Sequence, residues 1–141
     1  MRHFAALFAT LGLAACSTTP VTRGQSQAVS ARTDSAVRFL LTAAATDFRA
    51  HHPPDPVRFR DVHVGHVISP SGEEQYLMCG QFLPAQRGGK AGWTPFATIK
   101  TSGYEQYLGA QAATFCHRSS VTWDRAADLA SSLQSGLDSL R

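Results

Sequence analysis

Apolar residues recur at helical spacing in the first half of the chain. Between Asp34 and Ala50 they stand three or four positions apart, as Val37, Leu40, Leu41, Ala44 and Phe48. This spacing lines one face of an α-helix, and Thr33 or Asp34 can cap its first turn. The prolines within residues 53–56 end the pattern, because proline lacks an amide donor and disfavours helix in the residue before it. We therefore expect a helix over Asp34–Ala50.

After the prolines, the pattern changes to short runs of β-branched and aromatic residues. Turn residues separate these runs, with Ser-Pro-Ser-Gly at 69–72 and Arg-Gly-Gly-Lys at 87–90. Runs of this length and composition are typical of strands. The predicted strands are Val57–Ile68, Tyr76–Leu83, Trp93–Lys100 and Ala112–His117.

From Thr122 onwards a helical pattern returns. Asp124 lies near its predicted start, where negative charge favours a helix. The apolar stripe that follows is Ala126, Leu129, Ala130, Leu133, Leu137 and Leu140. The order of helix, antiparallel strands and helix predicts an α+β domain, in which an N-terminal and a C-terminal helix cover one face of a sheet of about four strands.

Residues 1–15 have the pattern of a signal peptide that is removed. Arg2 makes the start basic, and an uncharged apolar run follows over residues 4–15. As a helix this run would reach about 18 Å, which is short of the bilayer core of about 30 Å. The residues that close it, Leu13-Ala14-Ala15-Cys16, resemble the lipobox of bacterial lipoproteins. The resemblance implies acylation of Cys16; the alternative is an ordinary secretory signal that contains a cysteine.

The mature chain is expected to divide into a tether and one domain. Residues 16–32 are the lipidated Cys16 and a flexible tether, because they are rich in Ser, Thr and Gln without apolar periodicity. Residues 33–141 then form a single α+β domain. In enterobacterial lipoproteins, Ser17 after the lipidated cysteine goes with sorting to the outer membrane. We therefore expect the protein to be lipid-anchored in the outer membrane and to face the periplasm. The 13 basic and 10 acidic residues form no block of like charge, which does not favour nucleic acid.

Two cysteines remain after Cys16 is assigned to the anchor. In an oxidising compartment Cys79 and Cys116 are expected to form a disulfide. Such a bridge would stabilise the domain by about 4 kcal/mol in the chain-entropy model. Two buried free thiols are the alternative. A redox role is less favoured, because the chain lacks the CxxC spacing that lowers a thiol pKa.

The histidines raise the question of a metal or catalytic site. In a regular strand His63 and His66 point to opposite faces, and they converge only if Gly65 forms a bulge. We expect surface histidines, with no metal and no cofactor. The chain contains no nucleophile or phosphate-loop motif. The enzyme alternative is His63 or His66 acting with Asp61 or Glu105 as acid and base.

The most distinctive stretch covers residues 53–99. Its motifs are Asp-Pro, Phe-Arg-x-Val, Cys-Gly, a glycine pair, an aromatic residue and Phe, at Asp55, Phe59, Cys79, Gly88, Trp93 and Phe96. In these motifs the chain resembles a group of small uncharacterised exported proteins of proteobacteria. It departs from them at residues 81–83, where the relatives carry Val-Asn after Cys-Gly. The resemblance implies a fold and no activity.

The same stretch supplies most of the expected core. We predict that four aromatic side chains are buried and that the two arginines on either side of the first of them point to the opposite face of the strand. The aromatic residues are Phe59, Phe82, Trp93 and Phe96, and the arginines are Arg58 and Arg60.

A second set of motifs follows in the order Tyr76–Cys79, Ser102–Tyr107 and Cys116. This order is similar to that of the periplasmic lysozyme inhibitors of the lipoprotein type, although the Tyr-to-Cys spacing is one residue longer here. The resemblance implies a loop that delivers a polar group, from Ser102 or Lys100, into the cleft of an enzyme.

These observations favour a membrane-anchored envelope lipoprotein that is a non-enzymatic binding or structural module. Its expected partners are the lipid bilayer, through Cys16, and an envelope protein or a cell-wall component. The candidate binding surface is Lys100, Ser102, Tyr104 and Tyr107.

Overall fold

The computed structural model of the chain describes residues 23–51, 56–85, 92–124 and 127–140. The predicted lipobox with Cys16 and the predicted turn at residues 87–90 lie outside these ranges. The elements in chain order are α1 (Arg23–Ala50), β1 (Pro56–Ile68), β2 (Glu74–Pro84), β3 (Thr94–Lys100), β4 (Tyr104–Leu108), α2 (Ala110–Cys116), β5 (Thr122–Trp123) and α3 (Ala130–Ser139).

An antiparallel sheet with the strand order β4-β3-β2-β1-β5 forms the centre of the described structure. Helices α1 and α3 pack on one face, which we call the helical face, and α2 packs on the other, which we call the α2 face. A disulfide joins Cys79 of β2 to Cys116 of α2. The predicted α+β class is confirmed, with its N-terminal helix, antiparallel sheet, C-terminal helix and disulfide.

The core on the helical face centres on the ring of Phe48, which α1 carries into the sheet. Its centroid lies 5.2 Å from Phe59, 5.1 Å from Phe82 and 5.3 Å from Phe96, in tilted or edge-to-face arrangements that aromatic rings prefer. The predicted burial of these three sheet aromatics is confirmed. Trp93 is only half-buried.

A β-bulge in β1 decides which side chains face this core. Asp61 and Val62 stand opposite the single residue Gly80, and Asp61 has a φ of 54°. The extra residue reverses the alternation, so Phe59 and Val62 both point to the helical face. Gly80 has to lack a side chain, because a Cβ there would lie 2.7 Å from the ring of Phe96.

The N-terminal helix is longer than predicted. It begins at Arg23 instead of Asp34, so the described part of the expected tether is helical. The prediction missed the first turns because their residues lack the apolar periodicity on which it relied. The one large apolar residue among them, Val29, is 56% exposed. A helix that packing has already nucleated extends at little cost through Ala, Gln and Arg residues.

Three further predictions need correction. The run Ala112–His117 is helix α2 rather than a strand, which agrees with the high helix propensity of its alanines. Thr122 belongs to strand β5, and the last helix begins only at Ala130. Strand β4 was not among the predicted strands, and the sheet has five strands where about four were expected. Among the described helices, none is both long enough and apolar enough to cross a membrane.

Candidate functional site

A cavity of about 490 Å³ opens on the α2 face of the sheet. It lies between α2 and the edge formed by β1 and β5. The residues that line it are Asp61, His63, Gln81, Pro95, His117 and Trp123, together with the Cys79–Cys116 disulfide. Its volume lies within the range of about 300–1,000 Å³ that is usual for small-ligand pockets.

The disulfide forms one apolar wall of this cavity. His63 lies directly opposite Cys79 in the β1–β2 register, and His117 follows Cys116 at the end of α2. The bridge therefore holds α2 against the sheet and places the two histidines at the same cavity.

Trp123 forms the facing wall because Gly65 leaves room for it. Trp123 pairs with Gly65 across β5 and β1, and its side chain is 39% exposed. A Cβ on Gly65 would lie 2.9 Å from the indole ring and 2.8 Å from the carbonyl oxygen of Thr122. The indole can pack against β1 only where the strand carries no side chain.

Arg60 fixes the orientation of the Gln81 amide. The Nε and Nη2 groups of Arg60 donate to Oε1 of Gln81 at 3.1 Å and 2.7 Å. The atom that faces arginine must be the amide oxygen, because arginine only donates. The guanidinium itself lies 4.2 Å from the ring centroid of Trp93.

Asp128 holds the bulge that carries Asp61. Its Oδ2 accepts from the Asp61 amide at 3.1 Å, and its Oδ1 accepts from the amides of Val62 and Ala130 at 2.8 Å and 2.9 Å. Burial works to raise the pKa of Asp128, but these three amides and the nearby His63 lower it below its ordinary value. The ionised carboxylate thus joins the start of α3 to Asp61, whose backbone is in the left-handed region. Backbone strain of this kind clusters at functional sites.

The two strand histidines do not converge. The bulge lies at Asp61, and the register from His63 to His66 is regular. His63 therefore lines the cavity, whereas His66 lies on the helical face with its ring 5.7 Å from Tyr76 and its Nδ1 3.9 Å from the carboxylate of Asp124. Within the described ranges no three His, Cys, Asp or Glu side chains group as a metal site would require.

Of the carboxylates proposed for an enzyme, only Asp61 shares a cavity with His63. Glu105 points to another part of the α2 face, where it accepts a hydrogen bond from the hydroxyl of Tyr107 at 2.6 Å. That hydrogen bond, followed by burial, raises the pKa of Tyr107.

The predicted binding surface divides between the two faces of the sheet. Lys100 and Ser102 border a polar cleft of about 700 Å³ beside α1. Tyr104 lies on this side too, and its hydroxyl donates to Asp47 of α1 at 3.3 Å. Tyr107 lies on the opposite face, with its ring centroid 4.5 Å from that of Phe115. These four residues therefore do not form one surface.

Comparison of the chain with protein-family models, with curated proteins and with solved structures finds no match. The function has to be argued from the cavity itself.

Sequence reasoning missed four residues of this site: Gln81, Asp128, Trp123 and His117 had no predicted role in it. Trp123 fell inside a predicted helix, and Asp128 was one acidic residue among several. The one available signal was the tryptophan itself, because this residue type is enriched at interfaces.

Proposed function

We propose that this protein is a lipid-anchored lipoprotein of the bacterial cell envelope whose domain binds a small ligand without transforming it. The observation that carries the proposal is the cavity beside the Cys79–Cys116 disulfide. It combines largely apolar walls with a few polar side chains, which is the usual composition of a ligand pocket. The anchor is proposed from the lipobox, and the binding role from the cavity.

The composition of the lining supports binding over catalysis. No serine, threonine or tyrosine belongs to the described lining, and both of its cysteines are joined in the disulfide. The usual hydroxyl and thiol nucleophiles are thus not among the lining residues that the structure describes. Asp61 and His63 are the pair that an acid–base enzyme would use, so acid–base catalysis by these two residues is the second candidate function.

The ligand site is tested by filling the cavity. Ala113 lines it from α2, and Gln111 is an exposed residue of the same helix. We expect the full chain carrying Cys16→Ser to bind N-phenyl-1-naphthylamine, a neutral dye whose fluorescence rises in apolar surroundings. Ala113→Trp should weaken binding at least ten-fold, and Gln111→Trp should leave it unchanged. Equal binding by the two tryptophan variants would contradict the proposal.

The anchor is tested by labelling cells with radioactive palmitate. The wild-type chain and Ser17→Ala should incorporate the label and sediment with membranes. Cys16→Ser should incorporate none, because it lacks the thiol that takes the lipid. Several acyl chains make membrane association effectively permanent, since each buried methylene contributes about 0.8 kcal/mol. Release of the wild-type chain from membranes by salt would contradict a lipid anchor.

The enzyme candidate and the lysozyme-inhibitor prediction need separate assays. Turnover of a bound ligand that His63→Asn abolishes, while ligand affinity stays the same, would establish the enzyme. Inhibition of a lysozyme that Ser102→Ala or Lys100→Ala relieves would establish the inhibitor, and no inhibition at micromolar protein would end that prediction.

A further inference from the structure

The polar groups of the cavity present a donor and an acceptor side by side. Arg60 donates two hydrogen bonds to the oxygen of the Gln81 amide, so the NH2 group is the part of this side chain that can donate to a ligand in the cavity. Asp61 supplies a carboxylate, which only accepts hydrogen bonds when ionised. Its side chain is 65% exposed.

The charge of Asp61 is balanced by its neighbour. The Nε of Arg60 lies 3.4 Å from Oδ2 of Asp61, so the pair carries no net charge. A bare ammonium ligand would satisfy Asp61 alone and leave the Gln81 donor without an acceptor. Hydroxyl groups both donate and accept, and a pair of neighbouring hydroxyls matches both residues.

The apolar groups of the cavity offer a flat surface. The indole of Trp123 packs over Gly65 and remains partly exposed, and Pro95 and the disulfide continue the apolar lining. A ligand that fits these walls has one apolar face and hydrogen-bonding groups at its rim. A pyranose ring has this form, because its axial C–H groups make an apolar face and its equatorial hydroxyls point outward.

We infer that the cavity binds a pyranose sugar unit, with a C–H face against Trp123 and two adjacent hydroxyls bonded to Asp61 and Gln81. This inference rests on the proposed function and names its ligand class. The backbone of Asp61 supports it, because a non-glycine residue at φ 54° is strained, and this residue lines the cavity.

The experiment measures binding to the full chain carrying Cys16→Ser by isothermal titration calorimetry. The probes are tetra-N-acetylchitotetraose, which has the sugar chemistry of cell-wall glycan, and a purified core oligosaccharide of lipopolysaccharide. We expect one of them to bind, and the one that binds identifies the source of the sugar. Asp61→Gly removes the carboxylate and tolerates the positive φ, and Gln81→Leu removes the amide donor. Each substitution should weaken sugar binding about ten-fold, whereas Gln111→Leu, at an exposed position of α2, should leave it unchanged.

The outcomes separate this inference from the proposed function. If the naphthylamine dye binds in the cavity and neither sugar binds, the sugar inference is wrong and the binding role stands. If neither the dye nor a sugar binds, both are wrong. If a sugar binds equally well to the wild type, Asp61→Gly and Gln81→Leu, it occupies another surface and the inference is overturned. Near-ultraviolet circular dichroism confirms that each variant is folded.

Discussion

Asp128 accepts a hydrogen bond from the backbone amide of Val62 at 2.8 Å, across 66 positions of sequence. The same carboxylate also takes the amides of Asp61 and Ala130. One side chain thus fixes the bulge of β1, places Asp61 at the cavity and accepts the first backbone amide of α3.

Removing this carboxylate should destabilise the domain. We expect Asp128→Ala to lower the free energy of unfolding by about 1–3 kcal/mol, because three backbone amides, including the first of α3, lose a charged acceptor. Urea denaturation measures the effect. Asp34→Ala, at an exposed position of α1, is the matched control and should change stability by no more than about 0.5 kcal/mol. Equal stability of the two variants would show that the Asp128 contacts contribute little.

The contribution of Asp128 should depend on pH. Its folded-state pKa is lowered from the ordinary value of 3.8, so the stabilisation is complete above that value and is lost as pH falls through the lowered folded pKa. The stability difference between wild type and Asp128→Ala should therefore shrink as pH falls below about 4. Urea denaturation at a series of acidic pH values measures it. A difference that grows below about pH 4 would contradict the lowered pKa.

The disulfide should supply a large part of the stability. Cys79 and Cys116 are 37 positions apart, and closing a loop of that size contributes about 4 kcal/mol in the chain-entropy model. The double variant Cys79→Ser/Cys116→Ser should lose about that amount in urea denaturation, and ligand binding should weaken as α2 leaves the sheet. In the chain carrying Cys16→Ser, thiol titration under denaturing, unreduced conditions should find no free thiol. Two reactive thiols would contradict the bridge.

Gly65 should be needed for the wall that Trp123 forms. Gly65→Ala places a methyl group against the Thr122 carbonyl and the indole, and we expect a loss of about 1–3 kcal/mol. Tryptophan fluorescence should shift to the red as Trp123 becomes more exposed. Gly103→Ala is the control, because nothing lies within 4 Å of a Cβ there. An unshifted spectrum for Gly65→Ala would place the indole elsewhere.

Phe48 should be the most sensitive position of the helical-face core. Phe48→Ala removes a ring that touches three other aromatic rings, and we expect a loss of about 3–5 kcal/mol in chemical denaturation. Phe39 is 36% exposed on the same helix, so Phe39→Ala should cost far less. Similar losses for the two variants would show that Phe48 is not central to the core.

The sequence predicted those elements whose side chains repeat with a clear period. Strand β1 was expected from Val57 to Ile68 and extends from Pro56 to Ile68, because β-branched residues and flanking turn residues mark it locally. Helix α2 was missed because its seven residues, about two turns, carry too few positions for a period to be seen. Strand β5 was missed because two residues form a strand only where β1 offers them a partner.

The candidate site was less predictable than the fold. Sequence reasoning offered His63 or His66 as the histidine of an acid–base pair and Asp61 or Glu105 as its carboxylate, without favouring either member of each pair. The bulge decided between the histidines, because it sets which side chains of β1 share a face, and the position of β4 places Glu105 outside the cavity. Its position depends on Gly80 and Asp128, neither of which has a local pattern that marks it.

By itself, the sequence determined the apolar faces of α1 and the central strands and the pairing of Cys79 with Cys116, whereas the lipobox at Cys16 stays a prediction. Each of these follows from local periodicity, from a short motif or from counting cysteines. Only the tertiary structure brought Asp61, Gln81 and Trp123 to one cavity. Their meeting depends on strand register and on a hydrogen bond between residues 61 and 128, and such non-local contacts leave no period in the sequence.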